Sequence, residues 1–238
     1  MIACPIGWIA VIGIPKGKRG FLDVSVVMGS RNEEKAIRKV ITDIKLATEG
    51  QAEIVVVDGS SDKTPEIAEK LGAKVIRQAP QGYGVAVKAA VLAASREIII
   101  TVDCDGTYPA EQIPEFVGLI RGGYDVVSGS RLKGKTRNMT ALNGFGNRMF
   151  ALIGSLLYGI SVSDVTTGMR AYRRNVIRSI EWTENVGLSA ELILRPARHG
   201  YKITEIPIAY RPRLGETKLN PFSGGLGIFK SIIKCRFF

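Results

Sequence analysis

The stretch Glu97-Ile-Ile-Ile-Thr-Val-Asp-Cys-Asp-Gly-Thr107 decides the fold. Its apolar, β-branched run through Val102 has the length and composition of a strand buried on both faces of a parallel sheet. That strand runs directly into two aspartates one residue apart. Working outward, the same kind of unit recurs. Upstream, strands at Asp23 to Met28 and Glu53 to Val57 are followed by helices at Glu33 to Ala47 and about Thr64 to Leu71. A third strand, Ala73 to Arg77, precedes the glycine-rich turn Gly82-Tyr-Gly84 and an alanine-rich helix reaching Ser95. Downstream, a helix over Glu111 to Arg121 and a strand over Asp125 to Ser128 complete the alternation. The expectation is an α/β chain whose mostly parallel, Rossmann-like sheet is flanked by helices.

Past Arg131 the alternation stops. A basic glycine and lysine loop leads to a helix over Ala141 to Gly159, a loop from Ser163 to Arg170 and a helix near Leu188 to His199. One more strand, Thr204 to Tyr210, precedes a basic segment and a C-terminal helix. There is no internal repeat, low-complexity tract or clear linker. The expected organisation is therefore an N-terminal extension over 1–22 and one catalytic domain over 23–220, with the C-terminal helix over 221–238. Within the domain, the regular alternation over 23–130 forms one half and the irregular, basic region over 131–220 the other.

The charge is unevenly distributed. Residues 1–130 carry 15 Lys and Arg against 16 Asp and Glu, whereas 131–238 carry 18 against 6. An excess of that size in one part of a fold implies an anionic partner: nucleic acid, a membrane surface or a phosphorylated substrate. Nucleic acid is not expected, because interleaved aromatic platforms and the RRM, KH and zinc-finger patterns are all lacking. Cys4, Cys104 and Cys235 have no CxxC spacing, so neither a disulfide framework nor a zinc site is expected. His199 is the only histidine, and it is read as an exposed surface residue. A Ser-His-Asp triad has little to build on.

No apolar run reaches the roughly 18 residues that a bilayer-spanning helix needs. Ile2 to Ile14 is short and carries its basic residues, Lys16, Lys18 and Arg19, after the apolar run, where a signal peptide has them before it. At the other end Phe222, Leu226, Phe229, Ile233 and Phe237 recur at helical spacing beside Lys230, Lys234 and Arg236. That pattern suits a helix lying in a membrane interface, and an ordinary core helix is the alternative. The expected location is cytoplasmic, peripheral to the cytoplasmic membrane face.

In open α/β sheets, ligands bind beyond the carboxyl ends of the strands, and Glu33, Asp58, Asp103 and Asp105 all follow strands here. Converging carboxylates repel one another unless a cation or hydrogen-bond donors offset them. Asp103 and Asp105, alternating at a strand end, suit a hard ion such as Mg²⁺ or Mn²⁺ shared with substrate phosphates. The chain has no GxxxxGK[ST] loop, and Gly82-Tyr-Gly84 lacks the third glycine of a dinucleotide fingerprint. A nucleotide is therefore expected to be held through the metal and its diphosphate, with Glu33 and Asp58 accepting hydrogen bonds from base and ribose. A helix-start acid and an Asx turn are the plainer readings of those two residues.

Val26-Val-Met-Gly-Ser-Arg-Asn-Glu-Glu34, Val57-Asp-Gly-Ser-Ser-Asp62, Gly82-Tyr-Gly84, Asp103-Cys-Asp105 and Ser130-Arg131, in this order, resemble family 2 glycosyltransferases of the GT-A fold. Asp164-Val-Thr-Thr-Gly-Met-Arg170 and Glu205-Ile-Pro-Ile-Ala-Tyr-Arg-Pro-Arg-Leu-Gly-Glu-Thr-Lys218 narrow the resemblance to the dolichyl-phosphate mannosyltransferase and glucosyltransferase branch. The resemblance spans about residues 23–220. It implies that Ser30, Asn32, Glu33 and Asp58 contact the nucleoside of a nucleotide diphosphate sugar, and that Asp103 and Asp105 hold metal and diphosphate. It further implies that Arg131, Arg170, Arg213 and Lys218 receive the phosphate of a polyprenyl or dolichyl acceptor, or the donor diphosphate. Thr107 stands where that branch often has a metal-binding Gln, Gly29 where it usually has Pro, and Lys63 where Gly is common.

The implied chemistry is inverting in-line attack on the anomeric carbon, with Asp105, Asp164, Arg131 and Arg170 as the catalytic candidates. A phosphate acceptor is already ionised at neutral pH, so it needs no strong base. Asp164 is then a candidate for positioning the acceptor, with capping of the loop before Thr166 as the plainer role. The alternative activity is transfer to a soluble glycan or another hydroxyl acceptor.

Overall fold

Parallel strands form where runs of valine and isoleucine are buried on both faces, and the chain supplies several. The structure, a computed structural model, describes residues 20–134, 141–215 and 221–237. Its strands are β1 (Val24–Ser30), β2 (Glu53–Asp58), β3 (Lys74–Arg77), β4 (Ile98–Thr101), β5 (Val126–Ser130), β6 (Arg170–Arg173) and β7 (Ile203–Pro207). The helices are α1 (Ile37–Ala47), α2 (Thr64–Lys70), α3 (Tyr83–Ala93), α4 (Ile113–Arg121), α5 (Ala141–Tyr158), α6 (Arg174–Ser179), α7 (Leu188–Arg198) and α8 (Pro221–Phe237). The strands make one sheet in the order β3-β2-β1-β4-β6-β5-β7, parallel except for β6.

Alternate strand residues point to opposite faces, which divides the core in two. Val24, Val26 and Met28 of β1 pack on α1 and α4 through Ile37, Ile41, Ile113 and Phe116. Val27 of β1, with Val55, Val57 and Ile99, packs on α3 and α7 through Val87, Val91, Leu188 and Leu192. The buried residues of α1 (Ile37, Val40, Ile41, Ile44) and of α4 (Ile113, Phe116, Val117, Ile120) repeat at i, i+3, i+4 and i+7, the apolar stripe of a helix lying on a sheet. A third cluster joins α5, α7 and α8 through Phe150, Val165, Ile193, Leu194 and Ile232.

Three expectations need correction. The helix expected from Glu33 begins at Ile37, because residues 33–36 form a turn in which Glu33 O accepts from Ala36 N and Ile37 N. The last strand runs from Ile203 to Pro207 rather than to Tyr210, because its partner β5 ends at Ser130, which pairs with Pro207 and accepts the last bond from Ile208 N. The loop expected through Arg170 ends in β6, Arg-Ala-Tyr-Arg, inserted antiparallel between β4 and β5. This strand shapes the site: its reversed direction brings the preceding segment, Asp164 to Gly168, to the edge where the parallel strands end. The 1–22 extension falls outside the described residues except for its last three. The sheet draws strands from both sides of residue 130, so the two expected halves share one core.

Candidate active site

At the carboxyl ends of β1 and β2, neighbouring strand ends hold one another. Ser30 pairs with Asp58 in register, and its hydroxyl donates to Asp58 Oδ2. Asp58 is buried, and it also accepts from Ser60 N (2.9 Å) and Ser60 Oγ (2.7 Å), which forms the Asx turn. Asn32 adopts a positive φ of 52°, a left-handed conformation that Asn tolerates better than most residues. Its Oδ1 receives Ser61 N at 2.9 Å. Glu33 is buried, with its amide donating to Thr64 Oγ1 at 2.8 Å and its carboxylate 3.8 Å from Arg213 Nη1. The four residues expected at the nucleoside therefore form one rim.

Beside them, at the end of β4, stand Asp103 and Asp105. Asp103 Oδ1 accepts from Tyr83 Oη at 2.8 Å, and no donor among the described residues pairs with Oδ2. Asp105 Oδ1 accepts from Thr107 N (2.9 Å) and Thr107 Oγ1 (2.6 Å), while Oδ2 receives Arg213 Nη2. Burial and then the charge of Asp105 push Asp103 up to about 6, against the pull of Tyr83, Arg131 and Arg213. Burial also raises the Cys104 thiol, and Glu33, Asp105, Asp58 and Asp103 raise it further. All four acids thus act electrostatically on the same buried thiol. They do not close into a cage, since no three His, Cys, Asp or Glu among the described residues are placed to hold an ion. Thr107, standing where a further ligand is often found, instead holds Asp105.

The third wall comes from the ends of β5 and β7 and the loop before β6. Arg131 makes a two-pronged ion pair with Asp164, Nε to Oδ2 at 2.8 Å and Nη2 to Oδ1 at 3.0 Å, and Nη2 also donates to Thr166 Oγ1 at 2.7 Å. Its guanidinium lies over the Tyr210 ring, 5.3 Å from the centroid, and Tyr210 meets Tyr108 edge-on. Asp164 is 0% exposed. Burial pushes its carboxyl up, but Arg131 outweighs burial and holds it below the usual carboxylate range. Asp164 Oδ1 also receives Thr166 N at 3.1 Å, so Asp164 caps its loop as well as pairing with Arg131. The loop is fixed from below by Glu205, which accepts from both Ser163 N and Asp164 N at 3.0 Å.

Arg170 is placed apart from the other basic candidates. It is 1% exposed, and it donates to Ser128 Oγ (3.1 Å), Ser189 O (2.5 Å) and Val165 O (2.9 Å). A phosphate would have to displace those partners to reach it, so its visible function is to fasten the 163–169 loop to β5 and α7. Lys218 lies outside the described residues. His199 is exposed, as expected.

Several residues had drawn no individual notice in the sequence. Tyr83 sits inside a motif that was noticed for its glycines alone, although an aromatic hydroxyl between two glycines next to a strand-end acid is a usable signal. Tyr108 reaches the site only through tertiary contact, whereas Glu205 and Tyr210 sit in the quoted 205–218 motif, which does not by itself say what they touch.

The family model for Glycosyl transferase family 2 matches residues 25–181. The chain is 60% identical over 214 residues to the dolichyl-phosphate hexose transferase of Haloferax volcanii, covering 90% of this chain and 94% of that one. It is 29% identical over 223 residues to the undecaprenyl-phosphate mannosyltransferase of Micrococcus luteus, covering 85% and 88%. Among solved structures, glucosyl-3-phosphoglycerate synthase from Mycobacterium tuberculosis in complex with Mn²⁺ and UDP-glucose superposes with a TM-score of 0.73 at 21% identity, over 90% of this chain and 78% of that one. The likeness at that identity shows the fold, which is GT-A. With the family motifs set around one sheet edge and a relative this similar along nearly the whole chain, the protein belongs to glycosyltransferase family 2 and is a glycosyltransferase.

Proposed function

We propose that the enzyme transfers a hexose from a nucleoside diphosphate to a polyprenyl phosphate of the dolichyl type, with inversion at the anomeric carbon. The observation that carries this reading is the arrangement at the sheet edge. Two strand-end carboxylates, Asp103 and Asp105, stand beside a wall built on Arg131 and Arg213. The names of the Haloferax and Micrococcus relatives support a polyprenyl phosphate as acceptor.

Asp103 and Asp105 fit a divalent cation, Mg²⁺ or Mn²⁺, of the kind that takes one or two carboxylates and completes its shell with water and substrate phosphates. When bound, such an ion supplies charge neutralisation for the departing diphosphate. Glu33, Asp58, Ser30 and Asn32 would receive the nucleoside, while Arg131, Arg213 and Lys218 would meet the phosphates. Arginine suits that task, because its planar fork donates two parallel hydrogen bonds to phosphate oxygens. In the transfer, an acceptor phosphate oxygen bonds to the anomeric carbon as the bond from that carbon to the diphosphate oxygen breaks. No proton has to be removed from an ionised phosphate. Asp164 agrees with that chemistry: tied to Arg131 and held below the usual range, it is a poor base for a hydroxyl acceptor. The direct test is transfer of radiolabelled hexose from sugar nucleotides into organic-extractable polyprenyl phosphate. Label is expected there, and transfer only to water-soluble glycans would overturn the reading.

The same proposal places the enzyme on a membrane surface. No helix among the described residues is long and apolar enough to cross a bilayer. Instead, α8 exposes Leu226, Phe229, Ile233 and Phe237 along one stripe. Helix α5, which packs against it, exposes Phe145, Met149, Leu152 and Leu156 along another. Arg148, Lys230, Lys234 and Arg236 flank the two stripes. Large exposed apolar groups beside basic ones suit an anionic lipid interface. Replacing both Leu152 and Leu156 by Glu is expected to weaken co-sedimentation with anionic vesicles by at least about 100-fold, since each buried leucine contributes about 1.5–3 kcal/mol. Undiminished sedimentation would remove α5 from the membrane face.

A further inference from the structure

The loop between α6 and α7 reaches across to the turn that begins α3. Asn185 Oδ1 accepts from Gly84 N at 3.0 Å, and its Nδ2 donates to Gln81 O at 3.0 Å. One side-chain amide therefore clamps both ends of the Gln81 to Gly84 turn. The fit leaves no room for a side chain, because a Cβ on Gly84 would lie 2.1 Å from Asn185 O. Gly82 has φ of +109°, a conformation only glycine adopts readily, and a Cβ there would meet the Asn185 amide at 2.8 Å.

The residue fixed between those glycines is Tyr83, whose hydroxyl donates to Asp103 Oδ1. The clamp is itself rigidly supported. Glu191, buried in α7, accepts from Thr183 N and Glu184 N at 3.0 Å, and Lys234 of α8 pairs with Glu184 at 2.7 Å.

We infer that Asn185 is a positioning residue for Asp103: through the Gln81 to Gly84 turn and the Tyr83 hydroxyl, which engages Oδ1, it orients the carboxylate and leaves Oδ2 as the oxygen that would receive a cation. This rests on the reading of Asp103 as a cation ligand. A hydrogen bond to one oxygen of a ligating carboxylate sets which oxygen is presented and in what direction, and losing such outer partners typically costs about 10–100-fold in metal affinity.

The test is Mn²⁺ binding to the whole protein, followed by the electron paramagnetic resonance signal of the free ion, together with the KM and kcat of hexose transfer. Asn185→Ala and Tyr83→Phe are each expected to weaken Mn²⁺ binding about 10-fold and to raise KM for the sugar nucleotide more than they lower kcat. The double variant is expected to be no worse than either single one, because both break the same connection. Asn185→Asp keeps the oxygen facing Gly84 N–H and loses the amide donor to Gln81 O. It is expected to fall between wild type and Asn185→Ala, and it serves if the alanine variant does not fold. Unchanged Mn²⁺ affinity in the Asn185 variants, or strictly additive losses with Tyr83→Phe, overturns the inference. Asp103→Asn separates the two levels. If it abolishes Mn²⁺ binding while the Asn185 variants do not alter it, the positioning role alone fails. If it leaves Mn²⁺ binding intact, the cation site fails, and the inference with it.

Discussion

Replacing Asp105 by Ala is expected to lower hexose transfer on the order of 1,000-fold while leaving the protein folded, a loss of the size seen when one preorganised electrostatic group is removed from a transition state. Two effects act together. The substitution removes one of two hard oxygen donors at the end of β4, so the diphosphate loses its counter-charge. It also removes the acceptor for Thr107 N, Thr107 Oγ1 and Arg213 Nη2, which tie the segment after β4 to the segment after β7. Stability should fall by about 1–3 kcal/mol, because the buried Thr107 donors lose their acceptor while the repulsion with Asp103 is relieved. Thermal unfolding and initial rates, measured on the same preparation, separate the two effects. Wild-type turnover by the variant would exclude Asp105 from the chemistry.

Asp164 is expected to behave in the opposite way, with a large loss of stability. In Asp164→Ala the Arg131 guanidinium stays largely buried, with a side-chain exposure of 11%, and loses its two-pronged partner. Breaking one side of a buried pair typically costs about 3–5 kcal/mol, because an uncompensated charge is left in the interior. Asp164→Asn should cost less, since its amide oxygen can still cap Thr166 N.

The pH dependence has a definite sign. The carboxyl of Asp164 is held below its ordinary range in the folded state, so its contribution is complete above the unfolded value of about 3.8 and is lost as pH falls through the lower folded value. Urea unfolding of wild type and Asp164→Asn should therefore differ by a constant amount near neutral pH and converge below about pH 4. A difference that persists unchanged into that acid range would show that the ion pair contributes nothing through its charge.

The parts of the fold that were legible in the sequence share a physical cause. β1, β2, β4 and β5 are central strands buried on both faces, and that burial leaves clusters of Val and Ile that stand out in the sequence, continuous in β2 and β4 and shorter in β1 and β5. The helices α1 and α4 lie on the sheet and carry its 3.6-residue signature. β6 was hidden because it is four residues long and bounded by arginines. Its strand character comes from filling the gap between β4 and β5, a tertiary cause with no local signal. The same division runs through the site. The placement of Asp103 and Asp105 was readable because strand-end position alone brings them to the carboxyl edge of the sheet. For Arg170 the motif position says nothing of whether the guanidinium faces the cleft or the interior, and here it donates to Ser189 O and Val165 O. Asn185 was not legible, since its importance lies in a contact with Gly84, 101 residues away in sequence.

The charge asymmetry likewise finds its place. The basic C-terminal part supplies Arg131 and Arg213 to the cleft and Lys230 and Arg236 to the exposed side of α8, so on the proposed function one excess would serve two anionic surfaces. A phosphate acceptor carried by a lipid would present both at once, to the Arg131 and Arg213 wall and to the exposed stripes of α5 and α8.

Two strand-end aspartates, Asp103 and Asp105, are proposed to receive a cation and the diphosphate it accompanies. Anomalous diffraction from crystals soaked with Mn²⁺ and a sugar nucleotide tests this most directly. A manganese peak in contact with the Asp103 and Asp105 carboxylates and with diphosphate oxygens is the expected result. A nucleotide bound with no ion against those carboxylates, or an ion seated elsewhere, would contradict it.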